Sequence, residues 1–263
     1  MKSIHTTTLT SRAEKRGIII EVIDEETPIF IMKHGNKSIR CYNGLTDHVG
    51  AVSFHLANNK VLANRFLAAN GFNVPAQTNH YSWEQSVAFL KKWKQVVVKP
   101  VSEWGARGVT IDVKTEDELR AGLRLATCFG EGALIEQQVT GVDHRLIFVD
   151  RKFTAAITRT QAFVTGNGKD SVRSLIKAKN KITTAVDPGH KIPLDAETAR
   201  ALASIGRSYD SVPDARKKLT VRYSSNYHPG GYCLVVTDTT DSRLIEVGER
   251  VAALYDVPLI GVD

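Results

Sequence analysis

The chain has 263 residues, 42% hydrophobic and 24% charged, a composition ordinary for a globular protein and long enough for one large domain or two modest ones. Its net charge of +7 is uneven: from Arg151 to Lys191 there are nine basic residues (Arg151, Lys152, Arg159, Lys169, Arg173, Lys177, Lys179, Lys181, Lys191) against Asp170 and Asp187, an excess equal to that of the whole chain. No apolar run approaches the ~20 residues of a membrane span, residues 1–8 lack the apolar core of a secretory signal, and Cys41, Cys128 and Cys233 stand far apart with no CxxC pair, so no disulfide framework or zinc site is indicated. No membrane partner is expected, and a reducing cytoplasm is the expected compartment.

In chain order, short Ile-rich strands are predicted over 17–23, 28–33 and 37–42, separated by the Asp24-Glu25-Glu26 and His34-Gly35-Asn36 turns. A helix is expected over 56–70, where Leu56, Val61, Leu62, Phe66 and Leu67 recur at helical spacing and Gly71 stops it. The exit Gly71-Phe72-Asn73-Val74-Pro75 is extended, because a residue before proline avoids the helical region. A second helix starts at the N-cap Ser82 and carries Trp83, Val87, Phe89, Leu90 and Trp93. Strands follow over 96–100 and 109–113, then a helix opened by the capping box Thr115-Glu116-Asp117-Glu118, then a strand over 133–138. A hairpin over 145–149 and 153–158 turns at Asp150-Arg151. Beyond it, helices are expected over 171–179, 196–206 and 242–255, and strands over 219–223, 232–237 and 258–262. The order is mixed α/β, without internal repeat or Pro/Gly/Ser linker.

Four features carry chemistry. Lys99 closes a run of three valines, so its ammonium either snorkels from the strand end or meets an anion. The loop Ser102-Glu103-Trp104-Gly105-Ala106-Arg107-Gly108 offers unhindered backbone N–H groups suited to phosphates, or is simply a turn; it is neither a Walker P-loop nor a Rossmann fingerprint. In Leu134-Ile135-Glu136-Gln137-Gln138-Val139, a carboxylate at a strand end followed by exposed backbone suits an adenine, and Asp143 is placed to accept from ribose hydroxyls; the alternative is an edge strand with a solvated turn. Finally, Gly166-Asn167-Gly168-Lys169 precedes a helix whose N-terminus attracts anions, although Asn-Gly is also a common turn and Lys177, Lys179 and Lys181 suit a solvated helix face.

Taken together with Asn58-Asn59-Lys60, the Gly71 to Pro75 segment, Gly141-Val142-Asp143-His144-Arg145 and Arg222 with Asn226 and Gly230-Gly231, these motifs resemble the ATP-grasp superfamily over about residues 52–263. The likeness is to the modules of the cyanophycin synthetase, bifunctional glutathione synthetase and N-acetylglutaminylglutamine synthetase families. It implies an α/β (α+β) ATP-grasp fold of two mixed subdomains clamping ATP: a short β-rich N-terminal segment (1–55), a small subdomain with the glycine loop (56–135) and a large subdomain (136–263). It implies Lys60 and Lys99 on the α and β phosphates, Trp104, Gly105, Ala106, Arg107 and Gly108 as a flap over the triphosphate, Glu136, Gln137, Gln138 and Val139 against adenine, and Asp143 on the ribose. Arg145, Arg159 and Arg222 match positions that neutralise phosphate, acyl phosphate and the tetrahedral intermediate; Asn226, Gly230 and Gly231 line the acceptor site.

The implied activity is a carboxylate–amine ligation with ATP and Mg²⁺ on small amino acid or peptide substrates, through an acylphosphate, with room for a homodimer. Positioning and charge neutralisation supply most of such catalysis, so no nucleophile triad is needed. The family's metal set begins with an acidic residue matched by Asp263 and continues with a Glu-x-Asn strand that this sequence does not include. The expectation is therefore a piece of a longer ligase or a module that binds nucleotide without turnover. A nucleic-acid partner is not expected, because aromatics are 7% and only Phe153 and Phe163 interleave the basic segment.

Overall fold

Asn59, Ser82, Thr115, Ser171 and Asp195 each accept a backbone N–H two or three residues on, and each opens a helix. The computed structural model describes residues 4–103, 105–130 and 132–263. In chain order the elements are α1 (Ile4–Glu14), β1 (Ile19–Val22), β2 (Ile29–His34), β3 (Lys37–Tyr42), β4 (Leu45–Thr46), α2 (Ala51–Asn58), α3 (Lys60–Ala69), β5 (Gln77–Asn79), α4 (Trp83–Trp93), β6 (Val96–Pro100), β7 (Thr110–Val113), α5 (Glu116–Thr127) and β8 (Ala133–Gln137). They continue with β9 (Asp143–Val149), β10 (Lys152–Thr160), β11 (Phe163–Thr165), α6 (Val172–Val186), α7 (Ala196–Ala203), β12 (Lys218–Thr220), β13 (Tyr232–Val235), a short 3₁₀ turn at Thr237–Thr239, α8 (Ser242–Tyr255) and β14 (Leu259–Val262).

The chain divides into two compact units, one of Met1–His55, Leu146–Ala155 and Thr237–Val262, the other of Leu56–Arg145, Ala156–Val236 and Asp263. The N-terminal segment of the first unit ends at His55 and is joined by two later segments. The basic run is likewise divided, since Arg151 and Lys152 belong to the first unit and the remaining seven basic residues to the second.

In the first unit, β1 to β4 form an antiparallel meander, and β14 pairs antiparallel with the 146–149 half of β9. Phe148 on β9 is fully buried, and the glycine at 248 of α8 lets the helix approach it: a Cβ there would lie 2.2 Å from Phe148 Cζ. In the second unit, a sheet of order β5-β8-β6-β7 packs one face on α4 and α5. Strand periodicity decides the faces. Val96, Val98, Ala133 and Ile135 enter the core with Leu90, Leu119 and Leu123, so Val97, Lys99 and Glu136 lie on the opposite face. A second core gathers Val164, Val172, Ile176, Ile192, Leu202 and Val221 around β11, α6 and α7.

Candidate functional site

Asn59 interrupts the helix expected over 56–70. Its Oδ1 accepts the N–H groups of Val61 and Leu62 at 3.0 and 3.1 Å, which ends α2 and makes Lys60 the first residue of α3. Lys60 Nζ donates to the carbonyls of Glu103 (2.7 Å) and Val101 (3.4 Å), so the ammonium is held against the loop that leaves β6. Lys99 Nζ sits 2.7 Å from Glu136 Oε1, and Gln77 Nε2 donates to Glu136 Oε2 at 2.5 Å. Pairing of Val97 with Glu136 across β6 and β8 puts lysine and carboxylate on one face. Burial pushes the Lys60 pKa down to about 8, and the Lys99 charge adds to the effect, with Glu103 and Glu136 opposing it. Two lysines thus share a partly desolvated patch.

The glycine loop begins between them. Glu103 and Arg107 form an ion pair at 2.7 Å, and Gly105, Ala106 and Gly108 all have positive φ. A Cβ at Gly108 would lie 2.8 Å from Pro100 Cγ and 2.9 Å from Phe129 Cδ2, so packing as well as backbone conformation requires glycine there. Trp104 lies outside the described residues.

The segment expected against adenine is bound more tightly into the fold than its sequence suggests. β8 has neighbours on both sides, so it is not an edge strand. The Gln137 N–H donates to the Ala76 carbonyl (2.8 Å) and the Gln138 N–H to the Gln95 carbonyl (3.2 Å). Gln137 Oε1 accepts from the Ala76 N–H at 3.3 Å and Gln138 Oε1 from the Asp112 N–H at 2.7 Å. Val139 is 65% exposed.

Asp143, Arg145, Arg159 and Asp263, expected to have separate roles, form one network. Arg145 holds both oxygens of Asp263 at 2.7 Å. Arg159 Nη2 donates to Asp143 Oδ1 at 2.7 Å and lies 3.1 Å from Asp263 Oδ1. The Ser225 hydroxyl donates to Asp143 Oδ2. Both carboxylates are therefore already held by donors, which bears on the ribose and metal roles expected of them. A Mg²⁺ ion is bound through one or two carboxylates with phosphates and water; Asp263 faces two guanidinium groups instead, and among the described residues no three His, Cys, Asp or Glu side chains come together. These residues do not fit a magnesium site.

Arg222 follows β12 and is 7% exposed. Its Nη1 donates to Asp195 Oδ1 (2.7 Å) and Thr198 Oγ1 (2.9 Å), while Nε is buried without a partner. Asn226 Oδ1 accepts from the Ser224 hydroxyl at 3.1 Å, and its carbonyl accepts the Gly231 N–H at 3.0 Å. A Cβ at Gly230 would lie 2.3 Å from Ile192 Cγ1, and one at Gly231 would lie 2.5 Å from the carbonyl oxygens of Asn226 and Ser225. His190, which the sequence did not single out, is buried, stacked on Tyr227 at 4.2 Å, and donates from Nε2 to the Gly231 carbonyl at 3.1 Å.

Of the basic features, the Asn167 segment is a turn, one of the two alternatives, whereas Lys179 departs from its sequence reading. The turn before α6 is closed by its own side chain, since Asn167 Oδ1 accepts the N–H groups of Lys169 (3.0 Å) and Asp170 (2.8 Å). Lys179 is no solvated helix lysine: its Nζ lies 4.1 Å from the Phe163 ring centroid and 4.5 Å from that of Tyr232, and it hydrogen-bonds the Phe163 carbonyl. Burial, with Lys218 nearby, lowers its pKa to about 8.

The mixed α/β topology is that of an ATP-grasp module, and the proteins the chain resembles support that class. No family model matches it. It is 29% identical over 266 residues to cyanophycin synthetase of Trichormus variabilis, covering 98% of this chain and 29% of the relative. It is 30% identical over 262 residues to the glutathione biosynthesis bifunctional protein GshAB of Streptococcus thermophilus, covering 95% and 34%. Among solved structures, a bifunctional glutathione synthetase from Pasteurella multocida superposes with a TM-score of 0.61 at 25% identity, over 98% of this chain and 36% of that one. The chain spans about a third of the length of the curated relatives it matches. Among the described residues no helix is long and apolar enough to cross a membrane.

Proposed function

We propose that the chain is the ATP-using module of a carboxylate–amine ligase that joins an amino acid or peptide carboxylate to an amine. The observation that carries this reading is the paired, partly desolvated Lys60 and Lys99 beside a glycine loop, in a chain that aligns along almost its whole length with ligases. Two cations in a partly desolvated patch, with Glu136 paired to one of them and Glu103 already paired with Arg107, suit a polyphosphate. Lys60 and Lys99 hold the α and β phosphates, the loop with Gly105, Ala106, Arg107 and Gly108 lies over them, Gln137, Gln138 and Val139 border the adenine, and Asp143 lies at the ribose. Arg145, Arg159 and Arg222 face the transferring phosphoryl and acyl groups, and Asn226, Gly230 and Gly231 form the acceptor side.

The substrate carboxylate oxygen attacks the γ-phosphorus, and the bond to the β-phosphate oxygen breaks, giving ADP and an acylphosphate. The amine, having lost its proton, then attacks the acyl carbon and phosphate leaves. Arginines fixed by partners before substrate arrives meet the charge on the phosphoryl oxygens and on the tetrahedral intermediate without reorganising. The superfamily uses ATP with a divalent metal, but this chain's described residues do not make up that set, and none of these steps is derived through it.

Incubation with MgATP, pooled amino acids and hydroxylamine tests the reading. ADP, phosphate and a hydroxamate in equal amounts are expected. Saturable ATP binding with no phosphate at any substrate concentration overturns ligation and leaves a nucleotide-binding module.

A further inference from the structure

We propose that Asp195 and Thr198, on the first turn of α7, are positioning residues that present the Arg222 guanidinium to an anionic phosphate or acyl-phosphate group. The inference rests on the ligase reading, but its test has an arm that does not.

The hydrogen bonds around Thr198 are assigned by elimination. Its hydroxyl donates to the Pro193 carbonyl at 2.8 Å, so toward Arg222 Nη1, 2.9 Å away, it is the acceptor. Asp195 Oδ1 takes the same Nη1 at 2.7 Å and also accepts the Thr198 N–H at 2.9 Å as the helix N-cap. The Asp195 backbone is fixed in turn, because the Tyr209 hydroxyl donates to its carbonyl at 2.8 Å. Two acceptors on one nitrogen, from a helix turn that cannot swing, set both the position and the plane of the guanidinium.

The clamp is selective. Glu197, between its two members in sequence, is committed elsewhere: it pairs with Arg200 at 3.0 and 3.1 Å. On Arg222 only Nη1 is bound by these groups, and Nε is shielded from water with no acceptor. A buried unpaired donor is costly, and a charged one more so. An anion at the edge of the guanidinium supplies a counter-charge, and the guanidinium fork suits a phosphate oxygen pair. Sequence reasoning finds Arg222 but not its holders, because the contacts join residues 27 and 24 apart in the chain.

Asp195→Asn separates the clamp from the cap. Asparagine caps a helix as well as aspartate does, so the fold keeps its α7 start while Arg222 loses its counter-charge. The first measurement is steady-state phosphate release: kcat is expected to fall about tenfold or more with KM for ATP within about twofold, since an interaction made with the reacting group is lost and ground-state nucleotide binding is not. The thermal midpoint is expected to fall by a few degrees, because the cap is kept but the Arg222 charge loses its half-exposed partner.

The second measurement needs no turnover. The ¹⁵Nε–¹H resonance of Arg222, identified by its loss in Arg222→Lys, is followed while inorganic phosphate is added. It is expected to shift in the wild-type chain and to respond only weakly in Asp195→Asn. Thr198→Val, which keeps the cap, gives the same comparison if Asp195→Asn is unstable. Wild-type kcat in both variants, or a wild-type Arg222 resonance indifferent to phosphate, overturns the proposal. A wild-type chain that releases no phosphate while its Arg222 resonance responds overturns the ligase reading and leaves the clamp standing.

Discussion

Lys99 carries the sharpest test at the level of single residues. It and Glu136 retain 18% and 15% of their side-chain exposure, so Lys99→Ala leaves a largely buried carboxylate without its counter-ion. Breaking such a pair costs up to about 3–5 kcal/mol, whereas removing both charges is often nearly neutral. Lys99→Ala is expected to lower the thermal midpoint and abolish ATP binding. Adding Glu136→Gln is expected to restore the midpoint but not the binding, as scanning calorimetry and titration calorimetry would show. Lys60 yields a pH dependence. Its folded pKa of about 8 lies below the ordinary 10.5, so between those values the unfolded chain holds more protons and stability rises with pH. Phosphates favour the ammonium, so ATP affinity is expected to run the other way, falling above about pH 8 with proton uptake on binding; calorimetry in buffers of different ionisation enthalpy measures both. Lys99 was legible because a charge ending a valine run needs a reason. Its partner was not, since the contact depends on the register of β6 against β8 across 37 residues of chain.

Elements were legible wherever local chemistry settles them. The cap at Ser82, the capping box at Thr115 and the turn at Asp150-Arg151, where both residues have positive φ, all stand in the structure as their residue types require. The helix expected over 56–70 breaks at Asn59 because that side chain satisfies two N–H groups better as a cap than within a helix. β5 and β11 escaped notice because three residues are too few to show a period, and α1 because its Thr-rich turns lack a strong apolar stripe. Close approach between elements is not legible at all. Gly248 looks like a weak point in α8, and helix propensity alone would have Gly248→Ala gain about 1 kcal/mol. The buried Phe148 ring occupies the space a methyl needs, and overpacking of that kind costs about 1–3 kcal/mol. Gly248→Ala is therefore expected to lower the urea midpoint rather than raise it.

For the molecule as a whole, the net charge of +7 is concentrated in sequence from Arg151 to Lys191, and the structure disperses it. Arg151 pairs with Asp256, Arg159 with Asp143 and Asp263, and Arg173 with Asp210, all of them acids outside the run. Lys179 is held between two rings, and the run divides between the two units. Apart from Asp143, the acids that balance it lie far away in sequence, so no window of composition reports them. What is left, Lys152, Lys169, Lys177, Lys181 and Lys191, is exposed. Exposed lysines contribute through a field that salt screens within about 8 Å at physiological ionic strength, whereas a partly desolvated pair such as Lys60 and Lys99 is screened far less. Replacing Lys177 and Lys181 together by Gln is expected to leave ATP affinity at 150 mM salt within about twofold, because screening already removes most of their effect. The same lysines give a duplex DNA 20-mer only dispersed phosphate contacts, so its binding is expected to be weaker than about 10⁻⁴ M at that salt, beyond the usual non-specific range. Fluorescence anisotropy on the wild-type chain and the double variant measures both, and a DNA affinity that exceeds the ATP affinity and collapses in the double variant would return the basic run to the centre of the protein's function.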